Sequence, residues 1–258
     1  MPGNAQSRSA RNLNKSDNPM PNTDKQSTSP VYGYLQKPTM VDFPGRLATV
    51  MFTSGCNFRC GFCHNAPIMA HRKHGLEWSR LEKACRDFQS DWVTGVVISG
   101  GEPTLWGEQL IELIEFLKRF GFALKLDTNG SRPDMLKKIL PLVDFVSMDV
   151  KCRLENYPKL VGFDDYDKIR ESIELIKAAD NRHEFRTTVI EHHHTDEEMQ
   201  AVGELVKDAQ KYILQPFVPR DNLPDEKLRT TRRTSPDRLT TLRDMLKESA
   251  ETVEVKGL

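Results

Sequence analysis

The sequence predicts an α/β fold arranged as a partial (β/α)6 barrel. Two observations predict it. Six short, apolar, β-branched runs alternate with segments of helical spacing, and polar, glycine-rich or ionisable groups recur at the C-terminal ends of successive runs. Strands that alternate with helices pair in parallel, and right-handed crossovers roll consecutive units the same way. Six units stop short of the eight that close a full barrel. With 38% hydrophobic residues in 258, the chain can bury one large core of this kind.

The elements follow in order. Residues 1–30 hold one Leu, two Met and no aromatic residue. Such a segment cannot offset its ordering entropy by burial, so a disordered, dispensable leader is expected before a domain over 31–258. The strand-like runs are 48–53 (ATVMFT), 96–98 (VVI), 122–127 (FALKLD), 144–150 (DFVSMDV), 185–190 (FRTTVI) and 212–217 (YILQPF). Between them, Leu81, Ala84, Cys85 and Phe88 share one helical face, as do Leu110, Leu113, Ile114 and Leu117. Ile169, Ile173 and Ile176 form a third face, and Met199, Val202, Leu205 and Val206 a fourth. Ser79 with Glu82 and Thr195 with Glu198 fit capping boxes. A helix near 235–250 and a short strand at 252–256 finish the chain.

Composition narrows the function. Lys+Arg and Asp+Glu both number 37, which argues against a general nucleic-acid or membrane-surface binder. No apolar run approaches a membrane span, and no secretion signal opens the chain. Five unevenly placed cysteines do not suggest a disulfide framework, so a reducing, cytoplasmic location is expected.

In parallel α/β folds, ligands sit at the C-terminal ends of strands. There the sequence reads SGCNFRCGFC (54–63), SGGEPT (99–104), LDTNG (126–130) and SMDVK (147–151), followed by Arg186 and then QPF (215–217). Cys56, Cys60 and Cys63 can converge on one metal centre. A structural zinc would take His64, His71 or His74 as its fourth ligand. A [4Fe–4S] cluster would leave one iron without a protein ligand, open to a small chelator. Cys85 belongs to a helix's apolar face, and Cys152 is isolated.

The CxxxCxxC motif, with Phe62 before its last cysteine, resembles that of the radical S-adenosylmethionine (SAM) superfamily. Gly100-Gly101-Glu102 is similar to that family's GGE motif, which receives the methionine amino group. The glycines would let backbone approach the ligand, and the carboxylate could pair with an ammonium. Residues 34–65, with Asp42, Pro44, Gly45 and Arg46, resemble the start of the glycyl-radical-enzyme activases, notably those of anaerobic ribonucleoside-triphosphate reductase. Asp127-Thr128 and Asp149-x-Lys151 match motifs that lie beside SAM in the pyruvate formate-lyase activases. The resemblance implies a radical SAM barrel whose cluster cysteines carry catalysis, with Lys151 on the SAM carboxylate. It also implies a monovalent cation on the two aspartates and Thr128, a glycyl-radical enzyme as partner, and an electron donor such as flavodoxin or ferredoxin. The implied reaction reduces SAM to methionine and a 5′-deoxyadenosyl radical, which takes hydrogen from a glycine α-carbon. A 7-deazapurine synthase-like enzyme and a non-enzymatic Cys3His zinc module are the alternative readings.

Three features depart from the activase pattern or stand outside it. Asp42-Phe43-Pro44-Gly45 stands where Asp-Gly-Pro-Gly is usual. The run His192-His193-His194 reads as a solvated loop before the Thr195 cap, and the basic stretch 227–238 as another.

Overall fold

The computed structural model describes residues 28–69, 75–179 and 182–257. Eight strands form one sheet in chain order: β1 (Val31–Tyr34), β2 (Ala48–Thr53), β3 (Gly95–Gly100), β4 (Ala123–Thr128), β5 (Phe145–Asp149), β6 (Arg182–Val189), β7 (Ala209–Pro216) and β8 (Ala250–Val255). β1 runs antiparallel to β2, and every later pair is parallel. β1 and β8 do not pair, so the curved sheet remains open. The six expected units are β2 to β7, and β8 realises the short terminal strand. β1 was not expected: four residues with a central glycine, VYGY, give too brief a pattern to read.

The helices are α1 (Ala66–Met69), α2 (Trp78–Ser90), α3 (Glu108–Arg119), α4 (Pro133–Ile139), α5 (Tyr157–Val161), α6 (Asp167–Ala178), α7 (Asp196–Leu205), α8 (Glu226–Arg229) and α9 (Pro236–Met245). The apolar faces read from the sequence are buried on α2, α3, α6 and α7. Only Leu205 of the fourth set is partly exposed. Thr195 caps α7 by accepting from the Glu198 N–H at 3.3 Å. Ser79 caps nothing, because α2 already begins at Trp78 and its cap position, Glu77, makes no side-chain bond there. α9 ends earlier than expected, leaving Ala250 free to start β8.

Successive strand side chains face opposite sides of the sheet. On one side Met51, Ile98, Leu126 and Met148 join the helices in the main core. On the other, Phe43, Ala48, Val50, Val97 and Phe145 form a small apolar cluster near the strands' N-terminal ends. Phe43 seals that end. Its ring lies 6.0 Å from that of Phe145, the Arg46 guanidinium covers it at 5.7 Å, and the Asp42 carbonyl accepts from Lys125 Nζ at 2.8 Å. The Asp-x-Pro-Gly-Arg element is thus a plug under the barrel, at the opposite end from the cysteine loop. The departure at Phe43 fills the plug with a ring, where burial contributes about 1.5–3 kcal/mol.

The leader expected over 1–30 lies outside the described residues except at 28–30. There Ser29 is buried, its hydroxyl donating to the Leu76 carbonyl at 2.9 Å.

Candidate active site

The loop after β2 brings the three cysteines together. Gly55 and Cys56 donate backbone N–H groups to Ile68 and Met69 of α1, and the Cys63 N–H returns to the Cys60 carbonyl at 3.3 Å. Cys60 is buried, Cys56 and Cys63 partly so, and the three thiols feel one another's charge. Burial pushes Cys56 up to about 11 and Cys60 up to about 12, while the Lys151 ammonium pulls all three thiols down. A cationic centre would reverse the burial effect and deprotonate them.

The donor set fits a cluster better than a zinc ion. Among the described residues, no three His, Cys, Asp or Glu side chains close on a single-ion site. Three thiols without a fourth protein ligand among the described residues suit a polynuclear cluster, whose ligands bind different irons. His64 is engaged elsewhere, its Nε2 lying 3.0 Å from the Val218 carbonyl. His71 and His74 lie outside the described residues. Cys85 is buried on α2, as expected for a core residue, and Cys152 is buried beside the loop after β5.

The Gly100-Gly101-Glu102 turn is fastened to the cysteine loop. The Gly101 and Glu102 N–H groups donate to the carbonyls of Thr53 and Gly55, each at 2.9 Å. Gly100 has φ +126°, and a Cβ there would stand 2.2 Å from the Thr53 carbonyl oxygen. A Cβ on Gly101 would meet the Gly55 oxygen at 2.0 Å. The close approach these glycines permit is therefore made by the cysteine loop.

Glu102 is fully buried, and both its carboxylate oxygens are engaged. Oε1 accepts from the Thr104 N–H (3.1 Å), the Thr104 hydroxyl (2.6 Å) and the Thr128 hydroxyl (2.8 Å), and Oε2 from the Asn129 N–H (2.7 Å). Burial lifts the carboxyl above its usual range, and these bonds only partly oppose it. The side chain ties the end of β3 to the end of β4. Asn129, to which sequence reasoning gave no role, donates through Nδ2 to Asn57 Oδ1 at 3.1 Å and faces the Cys56 sulfur at 3.8 Å. Its only sequence signal is its position in Thr-Asn-Gly after a strand.

Beside the cysteine loop runs a line of charge across the ends of β4, β5 and β6. Lys151 Nζ donates to Asp149 Oδ2 at 2.8 Å and lies 5.8 Å from the centre of the Phe62 ring. Arg186 Nε donates to Asp149 Oδ1 at 3.0 Å, and its Nη1 reaches Asp127 Oδ2 at 3.4 Å. Asp127 Oδ1 lies 2.9 Å from Lys125 Nζ. The Arg186 guanidinium holds both carboxyls below their usual range against the cost of burial, and Asp149 in turn lifts Lys151 to about 12.

The backbone of Lys151 is fixed from two sides. Its N–H donates to the Tyr157 hydroxyl at 3.1 Å, and its carbonyl accepts from His194 Nε2 at 2.9 Å. His194 Nδ1 accepts from the Ile190 N–H at 2.8 Å, which assigns the ring proton to Nε2. Thus the histidine run is only partly solvated: His192 and His193 are exposed, and His194 is buried. The basic stretch is not wholly a solvated loop either. Leu228 and Thr234 are buried, and Arg238 Nη2 donates to the His194 carbonyl at 2.8 Å. A cavity of ≈ 270 Å³, walled by Phe62, Cys152, His193 and Asp225 among others, opens against the cysteine loop.

Cys56, Cys60, Phe62, Cys63, Gly100, Gly101, Glu102, Asp127, Thr128, Asp149, Lys151 and Arg186 therefore gather at one end of the sheet, joined there by Asn129 and His194, while Asp42, Pro44, Gly45 and Arg46 lie at the other. Comparison with known proteins gives the family. The Radical SAM superfamily matches residues 50–206. A Methanocaldococcus jannaschii protein described as a glycyl-radical enzyme activating enzyme is 34% identical over 193 residues, 72% of this chain and 79% of its own. The pyruvate formate-lyase-activating enzyme of Clostridium pasteurianum is 34% identical over 144 residues, 52% of this chain and 60% of its own. In three dimensions, Streptococcus suis SuiB bound to the precursor peptide SuiA superposes with a TM-score of 0.61 at 14% identity, over 81% of this chain and 48% of SuiB, which supports the fold. Three thiols on one loop, that loop fastened to a Gly-Gly-Glu turn, and a match spanning most of the chain make this protein an enzyme of the radical SAM superfamily.

Proposed function

We propose that this protein generates a glycyl radical on a partner enzyme, using SAM and a [4Fe–4S] cluster held by Cys56, Cys60 and Cys63. The partner we propose, on the resemblance carried by residues 34–65, is the anaerobic ribonucleoside-triphosphate reductase. The observation that carries the reading is the three-thiol loop fastened to the Gly100-Gly101-Glu102 turn with the Lys151 ammonium beside it. The activating enzymes of M. jannaschii and C. pasteurianum, each 34% identical, support the activase assignment.

When bound, the cluster supplies an electron that cleaves SAM and so provides a hydrogen-abstracting carbon radical. The chain's residues bind and orient. Lys151 offers its ammonium to the SAM carboxylate, while Phe62 and Asp149 limit where that ammonium can go. Gly100 and Gly101 hold the SAM-facing turn against the cluster loop, and Glu102 stiffens that turn with its four hydrogen bonds. Thr128 and Asp127 extend the same wall from β4. The gap between β1 and β8 gives a peptide loop a way in. A flavodoxin or ferredoxin would deliver the electron, in the cytoplasm, to a domain over 31–258 onto which residues 28–30 pack, with the leader before them dispensable.

The test is anaerobic incubation with SAM, a reductant and the reductase, read by electron paramagnetic resonance. A doublet on the reductase that collapses when its glycine α-carbon is deuterated is the expected result. SAM cleavage with no glycyl radical, alongside turnover of a 7-deazapurine precursor, would replace this reading with the small-molecule one.

A further inference from the structure

The resemblance to activases implies a free monovalent cation on Asp127, Thr128 and Asp149, yet the oxygens of these three side chains already have partners. Asp149 gives Oδ1 to Arg186 and Oδ2 to Lys151. Asp127 faces Arg186 through Oδ2, and its buried Oδ1 completes no hydrogen bond but stands in ion-pair contact with Lys125 Nζ at 2.9 Å. The Thr128 hydroxyl donates to Glu102 at 2.8 Å and accepts from the Gly130 N–H at 3.1 Å. An alkali cation would have to displace these groups.

Charge leads to the same conclusion. Lys125, Arg186, Lys151 and Lys256 stand against Asp127, Asp149 and Glu184, four cations to three carboxylates in one network. An added cation would enlarge that surplus of positive charge among groups mostly shielded from water, which is costly.

We propose that Arg186 is the site's built-in cation. Strand register makes it so: Arg186 on β6 pairs with Asp149 on β5, and Asp127 lies on β4, the next strand. A guanidinium is a planar fork that can engage two carboxylates through different nitrogens, and it stays charged at every working pH. Held between the two aspartates, Arg186 fixes Asp149, and Asp149 in turn fixes the Lys151 ammonium beside the cysteine loop. Arg186 is a positioning residue that does the work of the expected cation, so a free alkali ion is not needed. The effect of Arg186 on SAM binding rests on the radical SAM reading, and its effect on folding rests on geometry alone.

The experiment compares KCl, NaCl and choline chloride at equal ionic strength with the reconstituted protein. SAM affinity is read by anaerobic calorimetry and unfolding by thermal melting. The wild type should bind SAM within about twofold in all three salts and melt at one temperature. Arg186→Gln empties the position: it should melt lower and bind SAM about tenfold more weakly in choline chloride, and recover in part with K⁺ or Na⁺. Arg186→Lys keeps the charge and should stay indifferent to the salt. Wild-type affinity that rises about tenfold with K⁺ over choline would overturn the proposal. So would a folded Arg186→Gln protein that keeps wild-type affinity and ignores both alkali ions. If Arg186→Gln does not fold, the wild-type and Arg186→Lys arms decide. Failure to bind SAM in any salt would count against the proposed function instead, and the melting comparison would still decide the role of Arg186.

Discussion

Glu102 shows how much one carboxylate can organise. A glutamine there keeps the shape but turns one oxygen into an N–H₂, which must then face N–H or O–H donors. Glu102→Gln should therefore destabilise the protein by about 1–3 kcal/mol, the range for a buried group left unsatisfied. At roughly 2–4 °C per kcal/mol for a chain this size, the melting temperature should fall by about 2–12 °C. An unchanged melting curve together with weakened SAM binding would assign the carboxylate to the ligand and contradict its role in the loop. His194 makes a second residue-scale prediction. Burial lowers its affinity for a proton, and Nδ1 must stay unprotonated to accept from Ile190. Its folded pKa lies below the unfolded value near 6.5, so its contribution is complete above that pH and is lost as pH falls through the folded value. Glu198 partly opposes this shift, and His192 adds to it. Melting temperature measured from pH 7.5 to 5 should drop, and His194→Gln should flatten that segment of the curve. No difference between the two curves would contradict the assignment. Neither role was legible in the sequence. A GGE triplet does not reveal that its carboxylate is spent on Thr128 and Asn129, and in a run of three histidines nothing marks the third as the buried one.

The elements were more legible than their joints. β2 matched its apolar run residue for residue, and β3 to β7 differed from theirs only at the ends, because alternation and β-branching report burial directly. Caps and loops depend on tertiary partners. Ser79 could not declare itself a helical residue, and the plug role of Phe43 needs Phe145, about a hundred positions away. The joint between β2 and β3 carries a prediction of its own. Gly101→Ala forces its new methyl into the Gly55 carbonyl, so the cysteine loop must move. Iron and sulfide retained after anaerobic reconstitution should fall well below the wild type, which holds about four irons per chain on the cluster assignment. Gly33→Ala, with open space at its Cβ, should incorporate iron normally. Full incorporation by Gly101→Ala would mean that the fastening of loop to turn does not position the thiols. At the barrel's other end, Phe43→Ala should lower stability by about 3–5 kcal/mol, as for other buried rings, without changing the iron content. Denaturant unfolding checks the first and iron analysis the second.

For the molecule as a whole, the sheet sets the logic. Its parallel strands deliver every reactive group to one end, and the Phe43 plug closes the other. This gathering was readable in advance, because parallel topology alone dictates which ends of the runs meet. The charge line through Arg186 was not, since it depends on the register between β5 and β6. Within that arrangement Cys56→Ala, Cys60→Ala and Cys63→Ala should each abolish SAM cleavage, whereas Cys85→Ala, buried on α2 away from the loop, should retain it. In the proposed reaction, hydrogen passes from a partner's glycine to SAM's adenosyl carbon. The direct measurement uses reductase labelled with α-deuterated glycine, incubated anaerobically with this protein, SAM and a reductant. Mass spectrometry of the 5′-deoxyadenosine should show one deuterium gained per product molecule, with one product formed per glycyl radical. Unlabelled 5′-deoxyadenosine, formed while the reductase remains radical-free, would contradict the account.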